Sequence, residues 1–544
     1  MISAPFVSRF FVSGLELSLD FPHIVNMEGS LMIKNKMIRD TALLTLMQLT
    51  LDSAALLLNV FITRKIGASA IGIFSLMGSF LGFAGILSNG NAFLCTSRLI
   101  SEEIGRHGSP VKVLFHGIKL CLILSIGASL LTVLSAEQVS LRFFSGAEVS
   151  GAVRLMPFAL ISGAISSCFK GYFNACRRAS SAAIGDILEF CVKASVIIVL
   201  TLAQTVHNEA SVCRIMIISI ISGNVTSLLF MIGLFIRHRP EKRGRALIDF
   251  RRYVMSAFPI MGGGILTAAL SSTNDALIPI CLRQFGDTQE QALSLFGIFE
   301  AIVIPTLFFP SVVLCSMSGM IVSEAARAQA AGNRERIQSL TSRLLEYTMI
   351  FAVFAAAVLL KFGGTIGMLL GGGDLAGKLI TTIALVVPFI YMEIVLEALI
   401  KGMGLQGFSS LNYLAEYVIR ISAVLILVPR IGFAGIAVSY YASNIFGNIS
   451  RLIKILRYTG VHFAPFRMLI SPLVYAVLTC FTAELLCRLF PLSETGVGYM
   501  IVMTLIWLAG YGGVFVMLVI FESNKSLKEC PVVLNIQRLT QKVM

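Results

Sequence analysis

Residues 169–193 read FKGYFNACRRASSAAIGDILEFCVK and residues 399–420 read LIKGMGLQGFSSLNYLAEYVIR, and the two stretches share one unusual pattern. Each has a Lys-Gly pair at the end of one apolar run and a Ser-Ser pair in the turn that follows. The next apolar run carries a glutamate four residues before a basic residue, which gives the pairs Glu189–Lys193 and Glu416–Arg420. A charged side chain at the centre of a helix in lipid costs about 3 kcal/mol, so the recurrence of such a pair indicates a repeated structural unit.

The composition is that of a membrane protein. The chain has 544 residues, of which 56% are hydrophobic and 13% charged, and its mean hydropathy is +0.86. Soluble proteins have about 25% charged residues, whereas a membrane-spanning helix needs about 20 apolar ones in a row. Such runs extend from about residue 38 to 521, and they are continuous instead of alternating as in a transmembrane barrel. We therefore predict an all-α polytopic membrane protein.

Fourteen transmembrane helices are predicted, at approximately 38–62, 69–94, 111–135, 151–173, 181–204, 212–236, 252–282, 292–320, 343–371, 376–400, 410–429, 432–456, 466–490 and 497–521. With the N-terminus in the cytoplasm, the cytoplasmic segments hold 30 of the 43 Lys and Arg residues, the outer segments 10 and the spans 3. This excess follows the positive-inside rule. The net charge of +14 thus reflects orientation and contact with anionic membrane lipids, not binding to nucleic acid. Both termini are expected in the cytoplasm.

Further landmarks recur in the same order in both halves. Ser101-Glu102 corresponds to Ser323-Glu324, and Arg64 corresponds to Arg283. Spans 1–6 and 7–12 therefore form one six-helix unit used twice, and an even number of spans makes the two lobes parallel repeats. The predicted domains are an N-terminal tail whose length depends on the start site (1–33), an N-lobe (34–236), a basic cytoplasmic linker (237–252), a C-lobe (253–457), spans 13 and 14 (458–522) and a cytoplasmic tail (523–544).

The charged pairs within the spans have two interpretations. Residues four apart on a helix are neighbours, so Glu189 can reach Lys193 and Glu416 can reach Arg420. Each pair is either an intrahelical ion pair that orients its span within the lobe, or a part of a polar translocation path.

Span 7 contains the sequence SSTNDALIP, in which Asn274 and Asp275 interrupt the apolar run shortly after three glycines at 262–264. A carboxylate beside amide and hydroxyl groups is suited to hold a proton or Na⁺. Asp275 is therefore a candidate for coupling to an ion, and Glu300 is a second one. The alternative is a helix-packing aspartate that neighbouring Ser and Asn side chains satisfy.

Arg64, Arg98 and Arg283 are candidate substrate-binding residues. Arg64 and Arg98 flank span 2, and Arg283 repeats Arg64 in the second lobe. Guanidinium groups bind phosphate through paired hydrogen bonds, so these arginines, with Asn274 and Asp275, predict a cavity for an anionic headgroup if they face a central cleft. Ordinary snorkelling of arginine to the membrane interface is the alternative.

No motif points to catalysis or to a cofactor. GMGLQG at 402–407 fits a dinucleotide-binding pattern but follows no strand, and GGDLAGKL at 372–379 has Leu where an ATP-binding loop has Ser or Thr. The eleven cysteines include no C-x-x-C pair, and no metal-binding or catalytic cluster is evident. We predict that the protein is not an enzyme and has no cofactor, metal site or ATP site, apart from coupling to Na⁺ or H⁺.

The stretches RKIGASAIGIFSLMGSF, SRLISEE and STNDALIPICLRQFGDTQEQALSLFGIFEAIVIP carry a family resemblance. They resemble the stage V sporulation protein B group of polysaccharide flippases, within the multidrug/oligosaccharidyl-lipid/polysaccharide (MOP) exporter superfamily, and the likeness runs from about Lys34 over nearly the whole chain. The resemblance implies two lobes that form a V, alternating access, and an isoprenoid-linked saccharide such as lipid II as substrate. It also implies a cavity-lining role for Arg64. The chain departs from the group at 88–98 and at Glu300.

The sequence thus predicts a flippase that moves a polyprenyl-diphosphate-linked saccharide across the bacterial cytoplasmic membrane, functional as a monomer. Two alternatives stay open. One is a cation-coupled multidrug exporter of the same superfamily, against which the two additional spans and Arg64 argue. The other is a non-transporting membrane partner in envelope or spore assembly.

Overall fold

The computed structural model describes residues 27–105, 108–144, 149–176, 178–203, 209–238, 248–461, 465–489 and 496–528. Most of the predicted N-terminal tail, basic linker and C-terminal tail lies outside these residues. The described ranges consist of helices and short connections and contain no β-strand, in agreement with the predicted all-α fold.

The helices of the first half are α1 (Met27–Ile66), α2 (Ala68–Asn89), α3 (Ala92–Gly105), α4 (Pro110–Leu134), α5 (Ala136–Arg142), α6 (Ser150–Val153), α7 (Met156–Ala175), α8 (Ala179–Ala203) and α9 (Glu209–His238). The turn that separates α2 from α3 has positive φ at both Gly90 and Asn91, 55° and 59°. Glycine and asparagine tolerate this left-handed conformation best, which explains why the helix breaks there.

The helices of the second half are α10 (Phe250–Phe285), α11 (Gln289–Ile298), α12 (Ile304–Phe308), α13 (Val312–Ala330), α14 (Arg334–Leu369), α15 (Gly373–Ile383), α16 (Val387–Gly402), α17 (Gln406–Ile431), α18 (Phe433–Thr459), α19 (Ser471–Cys487) and α20 (Val497–Lys528). A π-helical turn (Phe299–Val303) joins α11 to α12. Polar side chains begin three of these helices, because Asp249, Thr288 and Asn333 each accept a hydrogen bond from a backbone N–H of the first turn.

A helix lies at each of the fourteen predicted spans. Twelve helical segments are long and apolar enough to cross a membrane. The other two predicted spans correspond to α8 and α18, which have 25 and 27 residues and carry charged side chains within the apolar run. The protein is therefore a multi-pass membrane protein, and the two helices that composition alone does not identify carry several charged side chains each.

The same helix pairs pack together in both halves. In the first half α7 packs against α3 and α4, and α8 packs against α9 and α1; in the second half α16 packs against α13 and α14, and α17 against α18 and α10. The second-half helices that pack together are those that the sequence repeat matches to the first-half helices that pack together. The structure thus shows the repeat as a repeated packing arrangement.

The two halves meet where α2 packs against α11 and α10. A Cβ atom added to Gly72 would overlap the carbonyl group of Leu293, and one added to Gly297 would overlap the backbone of Gly72. The backbones of α2 and α11 are therefore in direct contact. Buried apolar side chains of both halves, among them Leu76 and Phe296, continue this interface into one shared core.

Helices α19 and α20 form a pair that packs on α14. The indole nitrogen of Trp507 donates to the carbonyl of Ala476 at 3.1 Å, which joins α20 to α19. The hydroxyl of Tyr511 donates to the carbonyl of Ile350 at 2.9 Å, and Lys361 pairs with Glu484 at 2.9 Å. The appended helices are thus fixed to the second lobe by polar contacts as well as by apolar packing.

Candidate functional site

A cavity of about 500 Å³ lies inside the second half, between α12, α13, α16, α17 and α18. One part of its wall is apolar, and the other part is formed by charged side chains, namely Glu393, Glu397, Lys401, Glu416 and Arg420. Charged side chains within a membrane protein face other helices or a polar cavity. This cavity therefore brings five ionisable side chains together around one space.

Arg451 lies at the centre of these charges. Its side chain is completely buried, and its guanidinium nitrogens lie 3.0 Å from Glu393, 3.3 Å from Glu397 and 3.1 Å from Glu416. Gly447, one turn away on α18, makes room for this group, because a Cβ there would meet the carboxylate of Glu416. The network is defined here as Glu393, Glu397, Glu416, Arg420, Arg451 and Lys401, and its three negative and three positive charges balance.

Arg451 was not among the candidate residues predicted from the sequence. The spacing of the polar and small residues on α18 was the available signal, because Asn444, Gly447, Asn448 and Arg451 recur at helical intervals and all are buried. Such a stripe marks the face that packs inside a lobe.

The predicted pair Glu416–Arg420 is present, at 3.3 Å. Arg420 also donates from Nε to the hydroxyl of Ser443 at 2.9 Å, and its guanidinium lies over the ring of Tyr440, 4.6 Å from the centroid. Arg420 therefore reaches from the network toward the lobe interface, where Asp275 and Glu300 lie within electrostatic range.

Asp275 joins the two halves. The hydroxyl of Ser79, on α2 of the first half, donates to Asp275 Oδ2 at 2.6 Å, and the amide of Asn274 lies 3.3 Å from Oδ1. A serine and an asparagine satisfy the carboxylate, as the helix-packing interpretation expected, and the serine belongs to the other lobe; coupling to an ion stays a prediction. The contact makes the interface between the halves depend on an ionisable group.

Glu300 lies in the π-helical turn, and the neighbouring sequence explains that turn. Pro305 has no N–H to donate and its ring collides with the carbonyl of the preceding turn, which favours a wider helical turn before it. Such π turns occur frequently at functional sites. Glu300 is thereby placed within electrostatic range of Asp275 and Arg420.

The first half contains a corresponding cavity of about 250 Å³, between α2, α7, α8 and α9. Lys170 on α7 lies 2.7 Å from Asp186 and 2.7 Å from Glu189. The prediction that Glu189 pairs with Lys193 was therefore wrong: its partner is a lysine on the neighbouring helix. A pair within one exposed helix contributes only a few tenths of a kcal/mol, whereas Lys170 reaches two carboxylates at once.

The recurring Lys-Gly pairs have one explanation in both halves. A Cβ on Gly171 would lie 2.7 Å from the carbonyl oxygen of Phe93, and one on Gly402 would lie 2.7 Å from that of Val322. Each glycine thus allows close contact with a helix of its own lobe, α3 for Gly171 and α13 for Gly402, and these two helices correspond to each other in the repeat. The lysine before it then meets a carboxylate, since Lys401 lies 3.3 Å from Glu397.

The three predicted arginines do not form one site. Arg64 is exposed and donates to the carbonyl of Leu369 at 2.7 Å, where it stabilises the end of α14. Arg98 is exposed beyond the other end of α2, whose 22 residues extend over about 33 Å at the usual rise per residue. Arg283 is exposed at the end of α10. Arg64 and Arg98 cannot bind the same headgroup.

No protein-family model matches the sequence. The chain is similar to stage V sporulation protein B of Bacillus subtilis (strain 168), with 18% identity over 392 residues that cover 70% of this chain and 76% of that protein.

The fold is similar to that of the lipid II flippase MurJ in an inward closed conformation, with a TM-score of 0.65 and 14% identity over 88% of this chain and 99% of that one. It is also similar to a multidrug resistance MATE family transporter of the MOP superfamily in an inward-facing conformation, with a TM-score of 0.59 and 15% identity over 76% and 96%. A MOP superfamily transporter from Pyrococcus furiosus gives a TM-score of 0.56 at 15% identity over 77% and 95%.

These proteins are transporters and a flippase and not enzymes, in agreement with the sequence prediction. The fold is shared with the solved transporter structures, and the sequence similarity to the sporulation protein extends over most of the chain. The chain is a multi-pass membrane protein with the fold of these transporters.

Proposed function

We propose that the protein is a flippase that moves a polyprenyl-diphosphate-linked saccharide across the bacterial cytoplasmic membrane by alternating access of its two lobes. One observation carries this proposal: a polar cavity and an apolar cavity share a wall. Ile304 and Phe308 line the polar cavity of the second half, and Thr306, Phe309 and Pro310 line an apolar cavity of about 490 Å³.

The apolar cavity suits a hydrocarbon chain. It lies between α1, α14 and α20, and its wall is formed almost entirely by aliphatic and aromatic side chains, among them Leu56, Phe351, Phe354, Leu508 and Phe515. A polyprenyl tail is apolar throughout and gains free energy from burial against such surfaces. The helix that closes this cavity, α20, belongs to the pair added to the two repeats.

The polar cavity suits the headgroup. A sugar diphosphate cannot cross hydrocarbon without a large desolvation cost, and Arg420 and Lys401 face the cavity with groups that bind phosphate oxygens. The two cavities lie on opposite sides of α12 and the two residues that follow it. One amphiphilic molecule can therefore place its headgroup in the polar cavity and its tail in the apolar one.

The comparisons favour this substrate class over a drug. The lipid II flippase matches 88% of this chain, whereas the MATE transporter matches 76%. The helices α19 and α20 are the part of the chain that a two-lobe exporter does not require, and α20 forms part of the wall of the apolar cavity.

We propose coupling to Na⁺ or H⁺ at Asp275 and Glu300. The two carboxylates lie within electrostatic range of each other and of Arg420, which belongs to the network, and Asp275 bonds to the opposite lobe through Ser79. Binding of a cation or a proton to these carboxylates would alter the contact between the lobes. The charge distribution supports cytoplasmic termini and contact with anionic lipids, and one chain supplies both lobes, so a monomer suffices.

The test is flipping of a fluorescent polyprenyl-diphosphate saccharide in proteoliposomes, with a cationic dye assayed in parallel. Gly512 lines the apolar cavity, and no atom lies within 4 Å of a Cβ built there or on the adjacent Gly513. Gly512→Phe should fill the cavity and lower lipid flipping at least about tenfold, since it excludes a chain of which each buried CH₂ contributes about 0.8 kcal/mol.

Gly513→Phe is the matched control and should flip lipid at the parent rate. Equal rates in the two variants would contradict the tail site. Dye transport without lipid movement would assign the protein to the multidrug exporters, and movement of neither in monodisperse protein would favour a non-transporting assembly partner.

A further inference from the structure

A groove of about 640 Å³ lies on the outer surface of the second lobe, apart from both cavities described above. It runs along α18 and is closed at one end by Phe408 at the start of α17. Its walls are formed by Phe408, Phe446, Ile449, Ser450, Ile453, Lys454, Arg457 and Tyr458. The opposite face of α18 carries the buried residues Asn444, Asn448 and Arg451, so the groove and the network lie on two sides of one helix.

The groove is apolar in one part and basic in the next part along the axis of α18. Phe446, Ile449 and Ile453 are 41%, 48% and 44% exposed, and the basic residues Lys454 and Arg457 follow within one turn. The rise from residue 446 to residue 457 is about 16 Å. This is close to half of the hydrocarbon thickness of a bilayer, about 15 Å. An acyl chain beside the apolar part therefore places its headgroup phosphate at the level of the two basic residues.

The two basic residues are available to a ligand. Arg327 and Arg336, near the same end of the lobe, pair with Glu324, and Arg467 pairs with Glu346. Lys454 instead lies over the ring of Phe408, 5.5 Å from its centroid, and neither it nor Arg457 pairs with a carboxylate in the described ranges. An aromatic contact holds the ammonium in place without neutralising it.

We infer that this groove binds one anionic phospholipid, with an acyl chain along Phe446, Ile449 and Ile453 and the phosphate between Lys454 and Arg457. The site is independent of the transported substrate. The neighbour of Phe408, Ser409, donates a hydrogen bond to Glu397 of the network. A lipid in the groove therefore holds the start of α17 against α18 at a point one residue from the charged network.

The experiment measures phospholipid retained by the purified full-length chain, using native mass spectrometry with phosphatidylglycerol or phosphatidylcholine of the same acyl chains. The parent protein should retain one phosphatidylglycerol in preference to phosphatidylcholine. A basic residue near an anionic membrane surface contributes enough for roughly a fivefold change in affinity, so Lys454→Gln/Arg457→Gln should bind phosphatidylglycerol about 30-fold more weakly. Each single substitution should have an intermediate effect, which keeps the test decisive if the double variant does not fold.

The matched control is Lys112→Gln/Arg334→Gln, which removes the same charge from two exposed positions outside the groove. It should bind phosphatidylglycerol as the parent does. Absence of a preference for phosphatidylglycerol, or equal losses in both double variants, would overturn the proposal. Displacement by a short-chain polyprenyl diphosphate but not by phosphatidylglycerol would overturn it too, and would assign the groove to the transported lipid.

Discussion

Substitution of Arg451 by Met tests whether the charged network determines the stability of the second lobe. Arg451 contacts three carboxylates at 3.0 to 3.3 Å and has no exposed surface. Its removal leaves Glu393, Glu397 and Glu416 with only Arg420 and Lys401, so the balanced network acquires a net negative charge inside the membrane. Loss of one partner from a buried ion pair costs roughly 3–5 kcal/mol, since the remaining charges are not compensated.

The assay is thermal unfolding of the purified protein in detergent. At about 2 °C per kcal/mol, Arg451→Met should lower the unfolding midpoint by about 6–10 °C. The double variant Arg451→Met/Glu416→Gln restores the charge balance, so its loss should be smaller than the sum of the two single losses, with a coupling of about 1–3 kcal/mol. The exposed residue Arg334 provides the control, because Arg334→Met should change the midpoint by less than 2 °C, the equivalent of about 1 kcal/mol. A parent-like midpoint for Arg451→Met, or strictly additive losses in the double variant, would refute the reasoning.

Three further substitutions test two contacts between the lobes and one ion-pair cluster within the first lobe. Gly72→Leu should force α2 away from α11, because its Cβ overlaps the carbonyl of Leu293, and the distance between spin labels on the two helices should increase. Gly82→Leu is the control: it has open space at its Cβ and should leave that distance unchanged. Ser79→Ala removes the donor to Asp275 and should lower the rate of lipid flipping several-fold, whereas Ser79→Thr keeps the hydroxyl and should keep the rate. A flipping rate in Ser79→Ala equal to that of the parent protein would show that the contact is not used in transport. Lys170→Met should destabilise the first lobe by about 3 kcal/mol, because two carboxylates lose their partner. Lys193→Met should lower the stability less in the same thermal unfolding assay. The reverse order would support the intrahelical pair Glu189–Lys193 predicted from the sequence.

The sequence predicted the features that depend on local patterns. Apolar runs of the right length located the helices, because a spanning helix satisfies its own backbone hydrogen bonds and needs only an apolar surface. The repeated order of landmarks located the two equivalent halves. The pair Glu416–Arg420 was predictable as well, since residues four apart on one helix are neighbours whatever the fold.

Features that depend on which helices meet were not predictable. The sequence analysis paired Glu189 with Lys193, and only the packing of α7 against α8 brings Lys170 to it. Arg451 sits near the end of its span, so its burial depends on the neighbouring helices. Arg64 matched a family pattern, yet its position beside Leu369 makes it a helix cap. Ser79 gave no signal at all, because serine is common in membrane helices and its partner is 196 residues away.

The packing of α20 provides a built-in optical probe. Trp507 is the only tryptophan of the chain, it is 2% exposed, and its indole N–H is bonded within the helix pair. The adjacent residue Leu508 lines the apolar cavity. Tryptophan emission therefore reports on the surroundings of α20 beside the apolar cavity without any label. A red shift on addition of an unlabelled polyprenyl lipid would indicate that α20 separates from α14 to admit the tail.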